Sequence, residues 1–107
     1  MSRRRVVVTG LGMVSPVGND VASSWDAVVN GRSGIAPIDH FDASTFPTRI
    51  AGQVRGFDPE RWIAPKDVKK MDPFIHYGVA ASLMAMDDAG LVIDDSNAER
   101  TGTLIGS

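Results

Sequence analysis

The chain has 107 residues, 43% of them hydrophobic and 22% charged, which bounds it to one globular domain or part of one and excludes disordered and fibrous classes. A net charge of -2 excludes a bulk electrostatic drive toward nucleic acid, and no apolar run approaches the roughly 20 residues that span a bilayer. Cysteine is absent, which excludes disulfides, thiolate metal sites and thiol catalysis from any residue of the chain.

In chain order, Arg3-Arg4-Arg5 leads into Val6-Val7-Val8-Thr9-Gly10. A β-branched run closed by glycine predicts a strand over 4–11, buried on both faces, with the arginines as its solvated start. Asn19 and Asp20 are capping residues ahead of a helix whose apolar stripe is Val21, Trp25, Val28 and Val29, with Gly31 at the left-handed stop.

From Arg32 to Pro65 the periodicity fails and Gly, Pro, Asp and Ser recur. This stretch reads as mostly loop, with a short strand over 50–54 and helical turns opening at Asp58-Pro59 and Pro65. A loop of that length is unusual in a compact domain and points to function or to contact with something outside the chain, such as a second subunit. Asp72-Pro73 then reads as an N-cap and first helical position of a largely buried helix. It ends at Gly90 and carries the stripe Ile75, Val79, Leu83 and Met86. The stretch 101–107, Thr-Gly-Thr-Leu-Ile-Gly-Ser, has the pattern of another core strand. Strand, helix, weak strand, long helix, strand predicts an α/β layer with a mainly parallel sheet, which three strands cannot complete alone.

Three groups of residues invite a chemical reading. Gly10, Gly12 and Gly18 lie between a strand and a helix, the setting of a phosphate-binding turn and hence of a nicotinamide-dependent oxidoreductase. Against it, Ser15 occupies the third glycine position, Pro16 removes a backbone donor, and no second strand ending in a ribose-binding acid follows. The simpler role for the glycines is a tight turn. His40 and His76 are far apart with no matched carboxylate cluster, so no metal site is read from them. Lys66, Lys69 and Lys70 stand at i, i+3 and i+4, so a helical turn opened by Pro65 puts them on one face. That face is either a compact positive patch for an acidic partner or a solvated surface.

Residues 5–18, Arg-Val-Val-Val-Thr-Gly-Leu-Gly-Met-Val-Ser-Pro-Val-Gly, resemble the opening of β-ketoacyl-acyl carrier protein synthases. Gly34-Ile35, Ile38-Asp39-His40-Phe41-Asp42, Lys70-Met71-Asp72-Pro73-Phe74 and the closing Leu-Ile-Gly-Ser are similar to the same family in the same order. Ser15-Pro16-Val17-Gly18 and His40-Phe41-Asp42 look more like the type II elongating synthase than its type I relative.

The resemblance implies a thiolase-like fold of two similar α/β halves in a five-layered sandwich, working as a cytoplasmic homodimer. Residues 1–107 correspond to the early part of the first half. It implies a decarboxylating condensation of acyl- and malonyl-loaded acyl carrier protein in fatty-acid elongation. The nucleophile is a low-pKa cysteine at a helix N-terminus, two histidines and backbone amides stabilise negative charge, and neither metal nor organic cofactor takes part.

No residue of this chain corresponds to that cysteine or to the catalytic histidines, so the isolated segment is expected to be inactive. The family's basic residues at the positions of Lys66, Lys69 and Lys70 contact the acidic helix of acyl carrier protein, which makes these three the docking residues the resemblance implies. The fold would equally serve a non-catalytic partner subunit of such a synthase, and a downstream cysteine in a small-residue turn would separate the two. No nucleic acid and no membrane partner is expected.

Overall fold

The computed structural model describes residues 3–107. Its elements are helix α1 (Val21–Val29), strands β1 (Ile35–Pro37) and β2 (Ile50–Gly52), a 3-10 turn at Pro59–Arg61, the short helix α2 (Pro65–Val68), the long helix α3 (Pro73–Ala89) and a second 3-10 turn at Ala98–Arg100.

Helix α1 starts after Asp20, which is itself extended and whose carboxylate accepts a 2.7 Å hydrogen bond from the Ser23 amide, satisfying a donor that the first helical turn cannot pair internally. It stops at Gly31, whose φ of 67° lets the Arg32 amide reach back to the Ala27 carbonyl at 2.8 Å. Helix α3 ends in the same way: Gly90 has φ 65° and the Leu91 amide donates to the Met86 carbonyl at 2.9 Å. At its start Asp72 is the N-cap by backbone geometry, but its carboxylate makes no capping bond, so Pro73 with its preset φ carries the initiation.

The long segment before α2 contains more order than its composition predicts. Strands β1 and β2 form an antiparallel hairpin in the register Ile35↔Gly52, Ala36↔Ala51 and Pro37↔Ile50. The expected strand over 50–54 is therefore present in shorter form, and its partner lies in residues read as loop. Pro16 is wedged against this hairpin: a Cβ on Gly34 would lie 2.8 Å from Pro16 Cβ, and one on Gly52 would lie 2.9 Å from Pro16 Cγ. Glycine at both places lets the Ser15–Gly18 turn seat on the hairpin.

The expected terminal strands do not form. Residues 4–11 and 101–107 have no ladder partner among the described residues, and Val6 and Leu104 are 94% and 97% exposed. A β-branched run supplies strand propensity, but a strand exists only with a neighbour to accept its hydrogen bonds. The sheet among the described residues is the two-stranded antiparallel hairpin rather than the mainly parallel sheet expected.

The expected burial of the helices is corrected too. The side of α1 that packs is Ser24 and Ala27, while Trp25, Val28 and Val29 are exposed. In α3 only His76 and Ala80 are buried, and Phe74, Ile75 and Leu83 are exposed. The buried apolar set is correspondingly small: Ala27, Ala43, Ile63 and Ala80. A radius of gyration of 17.4 Å compares with about 13 Å for a compact domain of some 100 residues, which matches this thin core.

Candidate functional site

The glycine-rich turn is a packing joint. A Cβ on Gly12 would stand 2.8 Å from both the Ala81 carbonyl carbon and the Ala85 amide nitrogen of α3, and one on Gly10 would stand 2.6 Å from the Ala89 amide nitrogen. Ala81, Ala85 and Ala89 recur every four residues along one face of α3, so the extended segment lies directly on a strip of small residues. Neither Gly10, Gly12 nor Gly18 has a positive φ, so close approach rather than left-handed turning is what excludes larger residues here.

Four of the turn's amides are engaged within the chain. The Leu11 amide donates to Asp88 Oδ2 at 2.9 Å, Ser15 and Gly18 exchange backbone bonds of 2.8 and 3.2 Å, and the Val17 amide donates to Ser15 Oγ at 3.3 Å. A phosphate at this turn would meet the Asp88 carboxylate, which tells against a dinucleotide site. Behind the turn, the buried Ser24 hydroxyl is 2.8 Å from Ser15 Oγ and donates to the Gly18 carbonyl at 3.2 Å, pinning the loop to α1.

The three lysines sit on a mount tied to α3. Pro65 opens α2 in the first helical position, and the Asp67 and Val68 amides close onto the Ala64 carbonyl at 2.8 and 3.2 Å. Lys69 follows with φ -69° and ψ -15°, still right-handed helical, so the turn carries through Lys69 and the i, i+3, i+4 spacing keeps its meaning. His76, 8% exposed, donates from Nε2 to the Val68 carbonyl at 3.0 Å, and Ile63 is buried just ahead of α2. The 3-10 turn Pro59–Arg61 packs on both α2 and α3. Lys66, Lys69 and Lys70 are all exposed.

The charge around them is local. Between Asp58 and Asp72 the bases Arg61, Lys66, Lys69 and Lys70 are matched by the acids Asp58, Glu60, Asp67 and Asp72, so the segment has no net field at long range. Arg61 lies over the Trp62 ring at 5.5 Å, and Lys70 Nζ stands 3.9 Å from Asp67 Oδ1. Lys66 and Lys69 form no ion pair within 4.0 Å among the described residues.

Sequence reasoning missed two features. A network on the hairpin joins His40 to Gln53, Gln53 Nε2 to Asp39 at 3.3 Å, and Arg55 to Asp39 at 2.5 Å. Arg55 beside Asp39 holds that carboxyl below its ordinary range. A hairpin register read from Ile35 and Ile50 would have brought these residues together. The second is an apolar groove of about 420 Å³ between α3 and the C-terminal segment, lined by Phe74, Val79, Leu83 and Ile105 among others, where the α3 stripe was expected to be core.

Fold and sequence together define a ketosynthase segment: residues 3–107 match the family "Beta-ketoacyl synthase, N-terminal domain", and the chain belongs to that family. A solved structure described as the ishigamide ketosynthase/chain length factor superposes with a TM-score of 0.76 at 43% identity, over 85% of this chain and 23% of that one. The thiolase-like ketosynthase fold follows from both. Over all of its 107 residues the chain is 57% identical to 3-oxoacyl-[acyl-carrier-protein] synthase 2 of Vibrio cholerae and 58% identical to the protein of that name from Vibrio harveyi. The Coxiella burnetii protein of the same name is 49% identical over the same length. The chain spans 26% of the length of each of these relatives. No helix among the described residues is long and apolar enough to cross a membrane.

Proposed function

We propose that this chain is the amino-terminal part of a type II 3-oxoacyl-acyl carrier protein synthase that extends fatty-acyl chains by two carbons, with Lys66, Lys69 and Lys70 receiving the carrier protein. The observation that carries the reading is the 57% identity to the Vibrio cholerae synthase without a break across the whole chain. In the complete protein an acyl group passes from the carrier's thiol to a cysteine thiolate. Loss of CO₂ from malonyl-carrier protein then supplies the carbon nucleophile that attacks this thioester, releasing the cysteine and leaving 3-oxoacyl-carrier protein.

This chain contributes scaffold and entry surface to that reaction. Residues 4–11 and 101–107 join a mainly parallel sheet whose remaining strands come from the rest of the protein, which accounts for their extended course and their exposed valines and leucine. The complete protein works in the cytoplasm as a homodimer, the loop-rich region 32–65 being a natural contact region.

The test is to incubate the full-length protein with acyl- and malonyl-carrier protein and to follow CO₂ release together with 3-oxoacyl product. Both are expected, and neither should form when the acyl-carrier protein is omitted. Carrier protein that binds but is never condensed would favour the non-catalytic partner subunit instead.

A further inference from the structure

The acid inside the lysine patch is the feature that the docking role leaves unexplained. Asp67 lies between Lys66 and Lys69 in sequence, and the Lys70 amide donates to the Asp67 carbonyl at 3.0 Å, so the turn leaving α2 folds Lys70 back over Asp67. Its ammonium stands 3.9 Å from Asp67 Oδ1, the side chains being 73% and 39% exposed. Such a pair is held in water at the outer limit of ion-pair distance, so it costs little to open. While it is closed, Lys70 faces its own chain's carboxylate rather than a partner's.

We propose that Asp67 is a specificity-tuning residue that competes with an acidic partner for Lys70, so that a partner presenting a dense carboxylate cluster gains more from the third lysine than a weakly acidic one does. The proposal rests on the docking role of the patch. Lys66 and Lys69, with no ion pair among the described residues, make the first encounter. Lys70 is exchanged from Asp67 to the partner afterwards. The exchange sets a threshold against weakly acidic surfaces, because an isolated carboxylate offers Lys70 nothing that Asp67 does not already offer.

The experiment is a double-mutant cycle in the full-length protein, titrated with apo-acyl carrier protein at low and at physiological salt. Asp67→Asn is expected to tighten binding by roughly two- to fivefold at low salt, with the gain shrinking as salt rises. Lys70→Gln is expected to weaken binding, and in the Lys70→Gln background the gain from Asp67→Asn should vanish. Asp67→Ser, which keeps an oxygen in the first turn of α2, should reproduce the gain and guards against a local folding effect. An equal gain with and without Lys70 would overturn the proposal, since Asp67 would then act by direct repulsion. No gain from either Asp67 variant, while Lys70→Gln still weakens binding, would overturn it as well and leave the docking role standing. Unchanged binding for Lys66→Gln, Lys69→Gln and Lys70→Gln alike would bring down the docking role itself.

Discussion

Gly12 rests its α-carbon on the Ala81 carbonyl of α3, so closely that any β-carbon would lie 2.8 Å from that carbonyl's carbon. The contact joins a segment near the chain's start to the middle of its longest helix. Gly12→Ala in the full-length protein should therefore cost about 1–3 kcal/mol, since neither backbone can yield without separating the segment from α3. Gly31→Ala is the control: nothing lies within 4 Å of a Cβ there, and only the φ of 67° opposes it, for about 1 kcal/mol. Thermal melts of the two variants should rank in that order.

Asp20 gives a pH-dependent prediction. The Ser23 hydroxyl and then the Ser23 amide bond its carboxylate and hold its pKa below the ordinary value. A group depressed in the folded state contributes its full stability above the unfolded value, about pH 4, and loses it as pH falls through the lower folded value. Asp20→Ala should cost about 1 kcal/mol at pH 7, and the difference from the parent should close in melts below about pH 4.

His76 links the lysine mount to α3 through the Val68 carbonyl. His76→Ala should lower stability by about 1–3 kcal/mol and, by loosening α2, raise the KM for carrier-protein substrates. His76→Gln keeps a donor and should recover part of the KM effect, which a general loss of packing would not allow.

The isolated 107-residue chain should bind hydrophobic dyes and self-associate. Trp25 is 67% exposed and lines an open, mainly apolar groove together with Leu11, Met13, Val17, Val21 and Val28. A cooperative, monomeric melt with no dye binding would show that these faces need no cover.

Local signals were the legible part of this molecule. Asp20, Gly31, Pro65, Pro73 and Gly90 each mark a helix end through chemistry confined to a few residues, and the structure places a helix boundary at or beside every one. The lysine spacing was legible for the same reason. The less legible elements depend on partners distant in sequence: 4–11 and 101–107 carry strand propensity without a neighbouring strand among the described residues, and β1 emerges only when Ile35 meets Gly52. The stripes of α1 and α3 predicted burial by their period, yet period shows which side is apolar and not whether anything covers it. The spacing of Gly10 and Gly12 suggests a turn, but the helix they touch is the reason for glycine there.

Lys66, Lys69 and Lys70 are proposed to present acyl carrier protein to the condensing site of the complete protein. The most direct test of that role is steady-state condensation by the full-length protein carrying Lys66→Glu, Lys69→Glu and Lys70→Glu, with malonyl-carrier protein varied. KM should rise roughly tenfold or more at low salt, with a weaker salt dependence and a kcat within about twofold of the parent. An unchanged KM across the salt series, in a protein that condenses normally, would contradict it.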